Sequence, residues 1–478
     1  MKTRYSFKSL AIFVLAIAQL MLALDYTIIY VTLPSIGQDL HFTASSLQWV
    51  VSAYSLIFGG FLLIGGRMSD VLGRRRMFMI AMALFGLGSL AGGFAPNGMT
   101  LILARGLQGL GGALLSPATL SLIMSNFEEG PERNRALGIW STMGGVGMSL
   151  GLLLGGFLTS YSGWAATFYV NVPVAVIVLI LTPFVLAESR ISSSQQRHFD
   201  LSGAISVTAG MILVVYYLIQ GPEEGWTAAS TLIPGIAGVI LLVLFAIIER
   251  RTANPLMPFK LLKNRSFSGA VMTAVIFSAS FGSLYYFLTI YLQQVLHYTA
   301  IQSGLSFLPL TISAFLGAKL VNRLLSATGM AGTIGIGMAL GAAGFLLLMP
   351  ISANGSFWGI MPGIILAGLG QAIVFTTMFI AAGTGMEPAY QGVASALVST
   401  GQQIGGSTGL AVILAVITAG LGPGHGMDAG SPADLNHALH WAFGMNMVLA
   451  LVGIVVSVVW FNKRRASSPA ASIQMNER

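Results

Sequence analysis

The chain has 478 residues, of which 55% are hydrophobic and 8% charged. A water-soluble fold cannot bury that much apolar surface, so the bilayer is the expected solvent. Apolar stretches of roughly 20 residues imply spanning helices rather than the shorter, alternating strands of a barrel. Cysteine is absent, which excludes disulfides, thiolate nucleophiles and zinc–cysteine sites, and the placement of the charges must decide what the net charge of +8 means.

Lys2, Arg4 and Lys8 give the chain the basic start of a signal peptide, but the apolar run that follows reaches about Pro34. That is too long for a cleaved segment of roughly 7–15 residues, so it reads as the first span. Further spans are expected at about 46–66, 77–94, 100–124, 136–160, 165–187, 201–220, 229–248, 267–292, 303–322, 331–350, 357–382, 392–420 and 439–461. The fold class is therefore an all-α membrane protein of about fourteen spans, with both termini on one side. Every Lys and Arg outside the spans falls on the side of the termini, and the exceptions, Arg105 and Lys319, fall inside spans. The opposite side carries Asp39, Glu223, Glu224, Asp428 and Asp434. By the positive-inside rule both termini are cytoplasmic, in the cell (inner) membrane. The basic excess is thus a signal for orientation. A nucleic-acid surface would gather its charge on one face of a folded domain, so no nucleic-acid partner is expected.

The loops divide the spans as 6+2+6. A six-helix bundle occupies 1–187. Cytoplasmic linkers and a two-helix insertion fill 188–266, a second six-helix bundle fills 267–465, and a tail covers 466–478. Gly66–Arg76, of the form G-x-x-x-D-x-x-G-R-R-R, has a weak counterpart in Gly317–Arg323. Repeated halves around a central cavity are a common transporter plan.

The Gly66–Arg76 loop closely resembles the signature loop of the major facilitator superfamily. Other segments resemble, in order, motifs of its fourteen-span drug:proton antiporters (multidrug efflux). Leu24-Asp25-Tyr26-Thr27 through Pro34 is similar to the first-span motif, and Arg105-Gly106-Leu107-Gln108-Gly109 through Gly112 to the fourth-span motif. Asn171-Val172-Pro173 after Trp164 and Phe168 is similar to the sixth-span start, and Glu249-Arg250-Arg251 through Phe267 to the segment before the ninth. Gly138, Gly147, Gly151, Gly155 and Gly156 match the antiporter motif of the fifth span, with Leu152 where the family has proline. Ala165 and Gln402 stand where relatives often carry arginine. The resemblance implies two pseudo-symmetric bundles. It also implies conformational roles for Gly66, Asp70, Gly73, Arg74, Gly147, Gly151, Gly155 and Gly156.

Asp25 and Arg105 are the formal charges lying well within apolar spans, and a charge there costs several kcal/mol, so it marks a functional pathway. The first span runs outward and the fourth inward, which puts Asp25 ~13 Å and Arg105 ~8 Å below the outer surface. The depths are similar, and the family resemblance implies that both helices line the central cavity, so the two are expected to sense each other. They would couple protons to a substrate by reciprocal competition at the carboxylate. A structural pair without a transport role is the bland alternative. Aromatic rings beside one carboxylate suit a flat lipophilic cation. The substrate candidates are Tyr26, Tyr30, Trp49, Tyr54, Gln108, Phe281, Tyr285 and Phe375, although aromatics also face lipid or pack between helices.

The expected function is proton-coupled export of lipophilic, cationic drugs by alternating access, as a monomer. The partners are drug, protons and lipid. No cofactor is expected beyond the proton motive force. No metal is expected either, because His437 and His440 have no third ligand at helical spacing, and no ATPase, because no phosphate-binding loop is present. Three rivals stand: an exporter of a neutral or anionic antibiotic or metabolite held by Arg105, a membrane sensor or scaffold without flux, and an intramembrane enzyme. The last has no nucleophile–base or metal set in the spans.

Overall fold

In hydrocarbon each backbone N–H and C=O must be satisfied within its own segment, so apolar runs of spanning length become helices. The computed structural model describes residues 2–127, 131–188, 201–252, 261, 263–352, 355–384, 391–421 and 432–461, and among these there is no strand. The helices are α1 (Lys2–Asp39), the single turn α2 (Ala44–Leu47), α3 (Trp49–Leu72), α4 (Arg74–Gly93), α5 (Gly98–Asn126), α6 (Pro131–Ser162), α7 (Ala166–Tyr169) and α8 (Asn171–Val185). They continue as α9 (Leu201–Glu224), α10 (Ala229–Arg251), α11 (Arg265–Phe277), α12 (Ser283–Ile290), α13 (Ala300–Ser306), α14 (Leu308–Leu348), α15 (Phe357–Gly383), α16 (Gln391–Leu421) and α17 (Pro432–Phe461). π-helical segments follow α11 at Ser278–Gly282 and α12 at Tyr291–Val295. Each expected span coincides with helix.

The tenth and eleventh expected spans form the two arms of α14, broken at Gly329, whose φ of 67° favours glycine. The arms run in opposite directions along α15. Positions 310 and 317 of the first arm approach Gly368 and Leu369 in turn, whereas positions 337 and 344 of the second approach Gly370 and then Gly363.

Two groups of helices pack internally. α1, α3, α4, α5, α6 and α8 form one, and α11, α12, α14, α15, α16 and α17 the other. They meet along two seams. In one, α3 lies against α16, with position 59 of α3 beside Gln403 and Thr400. In the other, α6 lies against α13, and the Ser160 hydroxyl accepts from the Ile301 amide at 3.1 Å. Near that second seam, at the end opposite the termini, Gln293 donates to the Val31 carbonyl at 2.7 Å. α9 sits on both α3 and α16, and α10 packs on α9. The exposed side of α10 carries Ile233, Ile236, Val239, Ile240 and Val243, an apolar face suited to lipid.

Candidate functional site: a buried carboxylate–guanidinium network

Three helices place the charges. Asp25 is in α1, Arg105 is in α5 just inside a start capped by Asn97, and Asn171 opens α8. Glycines let these helices approach. A Cβ at Gly109 would lie 2.5 Å from the Tyr54 carbonyl, which brings α3 onto α5. A Cβ at Gly88 would lie 2.8 Å from the Gln108 amide, which brings α4 onto α5. Gly92 and Gly93 make room for the Phe168 and Tyr169 rings of α7, the turn that leads into Asn171.

The resulting network is closed. Arg105 Nη1 donates to Asp25 Oδ2 at 2.7 Å, while Gln108 Nε2 and Asn171 Nδ2 each donate to Oδ1 at 2.9 Å. Arg105 Nε donates to the Val50 carbonyl at 2.9 Å, and Nη1 also reaches Gln108 Oε1 at 3.0 Å. Gln108 Nε2 reaches the Ser89 hydroxyl at 2.8 Å. The guanidinium carbon lies 4.4 Å from the centre of the Tyr54 ring, within cation–π range. Asp25 and Arg105 are each 1% exposed. The carboxylate therefore faces polar groups of its own bundle and not acyl chains. A pair buried this deeply needs further hydrogen bonds to support it, and the Val50 carbonyl, Gln108 and Asn171 supply them here.

The sequence candidates divide by place. Asp25, Arg105, Gln108 and Tyr54 come together here. Tyr26 and Tyr30 extend from α1 toward the other helix group, with their rings 6.1 Å apart, and Tyr30 stacks on Tyr285 at 5.5 Å. Tyr285 stacks on Phe307 and exchanges hydrogen bonds with Gln371 at 2.9 and 3.2 Å. Phe281 is buried over Gly341, between the rings of Phe277 and Phe345. Phe375 lies beside Phe277 and Phe379 and is 42% exposed. Trp49 stands apart, 6.3 Å from Tyr216 of α9. Sequence reasoning did not single out Ser89, Asn171 or Gln371 as site residues. Of these, only Asn171 had a signal, its place in the Asn-Val-Pro segment.

The glycines of α6 have two faces. Gly147, Gly151 and Gly155 lie on the carbonyls of Leu20, Leu24 and Ile28 in α1, where added Cβ atoms would come within 2.5, 2.5 and 2.7 Å. The matched spacing of four residues on both helices fastens α6 to the helix that carries Asp25. Gly156 instead meets Ala300 and Ile301, and a Cβ at Gly304 would lie 2.6 Å from the Leu152 carbonyl. Leu152 leaves α6 continuous from Pro131 to Ser162.

In the Gly66–Arg76 loop, Gly73 has φ 98°, and a Cβ there would meet the Glu188 carboxylate at 2.6 Å. Arg75 and Arg76 approach that carboxylate at 3.6 and 3.8 Å, and Arg75 donates to the Leu186 carbonyl at 3.2 Å. Arg74 is half-buried. Gly66 and Asp70 end α3, and their side-chain surroundings lie outside the described residues.

Helices of spanning length around a buried ion pair mark a multi-pass membrane protein. The chain belongs to the Major Facilitator Superfamily, which it matches over residues 15–410. Puromycin resistance protein pur8 of Streptomyces alboniger is 36% identical over 409 residues, covering 85% of this chain and 81% of that protein. Cephamycin export protein CmcT of Amycolatopsis lactamdurans is 36% identical over 448 residues, covering 92% of this chain and 90% of that one. Among solved structures, a bacterial homolog of the human lysosomal transporter Spinster, inward-facing and unoccupied, has the same fold. Its TM-score is 0.68 at 14% identity, covering 97% of this chain and 99% of that one.

Proposed function

We propose that this protein exports drug-like small molecules across the inner membrane, in exchange for protons, by alternating access of its two helix bundles. Residues 1–187 and 267–465 are the bundles, 188–266 carries the inserted pair, and both termini are cytoplasmic. The similarity to a puromycin resistance protein and a cephamycin export protein supports the export reading. The observation that carries proton coupling is the Asp25–Arg105 pair at 2.7 Å, since no structural economy favours a fully buried ion pair in hydrocarbon.

In this reading Asp25 holds either a proton or the Arg105 guanidinium in strength. Protonation weakens its grip on Arg105, Gln108 and Asn171 and loosens α1 from α5 and α8. Deprotonation restores the closed network. α1 also carries Tyr30 and Val31, which touch Tyr285 and Gln293 across the bundles. Movement of α1 therefore reaches the outer contacts directly. The α6–α13 and α1–α12 contacts gather at the outer end, which fits a state closed to the outside. About 100 mV supplies ~2.3 kcal/mol per proton, and one pH unit adds ~1.4 kcal/mol. That sum sustains a substrate gradient of roughly a few hundredfold.

The cation preference expected from the sequence depends on a carboxylate free to face the passage, whereas Asp25 is occupied by Arg105, Gln108 and Asn171. Reconstitution in proteoliposomes with an imposed pH gradient tests the function. Uphill movement of a fluorescent drug with dissipation of the gradient supports exchange. Binding without flux would favour a sensor.

A further inference from the structure

The passage between the bundles can be located from helical phase. In α15 the exposed residues Trp358, Pro362 and Ile380 share one side. At about 100° per residue, Phe375 points roughly 100–140° away from them. It points instead within about 20° of Ile364 and Ala382, both buried. Phe375 is nevertheless 42% exposed. Its open surface therefore faces the interior between helices and not lipid. Gln371 precedes it by one turn, half-buried, and pairs with Tyr285, which stacks on Tyr30 of the other bundle.

The charge available to this passage is small and balanced. Asp25 is the one acid within the expected spans, and all fourteen others in the chain lie outside them. Both of its oxygens accept from neighbours, one of them from Arg105. Lys319, the other cation in an expected span, is exposed and lies over the Phe315 ring, on the face of α14 that also exposes Ile312 and Leu316, so its charge is turned away from the buried side of that helix. A cation or an anion in the passage thus meets no uncompensated opposite charge, and aromatic faces alone repay little of an ion's lost hydration. An uncharged aromatic molecule keeps its stacking and hydrogen bonds without that cost.

We propose that the passenger is a planar aromatic molecule that is uncharged when bound, stacked on Phe375 and hydrogen-bonded by the Gln371 carboxamide, which makes Gln371 a specificity-determining residue. This rests on the export reading.

The test uses three probes with one ring system: anthracene-9-carboxamide, (anthracen-9-ylmethyl)trimethylammonium and anthracene-9-carboxylate. Binding to the full-length protein in nanodiscs is measured by fluorescence anisotropy, and efflux from cells expressing the protein is measured in parallel. The amide is expected to bind at least about tenfold more tightly than either ion. Gln371→Leu should weaken the amide by about tenfold, the factor of one ordinary hydrogen bond, while leaving 9-methylanthracene unchanged. Phe375→Ala should weaken the amide and 9-methylanthracene alike. Efflux with the ammonium bound most tightly would overturn this proposal and leave export standing. So would a Gln371→Leu variant that loses both neutral probes equally. Efflux of no probe, with no binding, would overturn both readings.

Discussion

Gly151 of α6 rests on the carbonyl oxygen of Leu24, the residue before Asp25. The glycine face of the fifth span thereby fixes the position of the helix that carries the buried carboxylate. Gly151→Val should break this contact, since even a Cβ would lie 2.5 Å from that oxygen. The expected cost is about 1–3 kcal/mol, the usual range for overpacking. Thermal unfolding in detergent checks it. Gly145→Ala is the control, because nothing lies within 4 Å of its Cβ position. Equal melting of the two variants would contradict the packing account.

The ion pair predicts non-additivity. Arg105→Ala leaves Asp25 buried without its charged partner, and such a loss typically costs about 3–5 kcal/mol. Asp25→Asn leaves the guanidinium with the Val50 carbonyl, Gln108 and the Tyr54 ring. The double variant should therefore be less destabilised than the sum of the singles, by about 1–3 kcal/mol in a double-mutant cycle. A coupling near zero would mean that the two side chains do not act as a unit.

At the cytoplasmic loop, Gly73→Ala meets two obstacles, a φ of 98° and the Glu188 carboxylate. The variant should insert but exchange substrate more slowly. Adding Glu188→Ala relieves the steric contact and should restore part of the rate. It cannot restore all of it, because a left-handed backbone costs a non-glycine residue about 1–2 kcal/mol. Complete rescue would show that the backbone conformation is unimportant.

The chain has no cysteine, so paired cysteines can be introduced without background. Ser160 and Ile301 touch across the α6–α13 seam. The Ser160→Cys/Ile301→Cys variant should cross-link under mild oxidation and lose transport, and regain it on reduction. Full transport while cross-linked would mean that this seam does not open during the cycle.

How much of this was legible beforehand varied with the kind of residue. The spans were readable because each is a long apolar run, and even the fold-back within α14 falls between two expected spans. Asp25 and Arg105 were readable because a charge in hydrocarbon is anomalous by itself. Asn171 and Ser89 were not, since neutral polar residues are common in spans. Asn171 lies 146 positions from Asp25, and only tertiary packing joins them. Trp49, Tyr54 and Phe375 were named together as aromatics within spans, but residue type alone does not say what a helix face meets. Trp49 meets α9, Tyr54 lies beside the Arg105 guanidinium, and Phe375 lies against Phe277 and Phe379 with part of its ring exposed. The π-helical segments around α12 have no signature in the apolar pattern, because a one-residue bulge leaves composition unchanged.

The central claim is that Asp25, paired with Arg105, couples proton entry to substrate exit. Its most direct test is drug flux driven by an imposed pH gradient in proteoliposomes carrying Asp25→Asn, compared with the unaltered protein at equal reconstituted amounts. The account predicts loss of gradient-driven accumulation while substrate still equilibrates down its own gradient. Accumulation at the unaltered rate would contradict it.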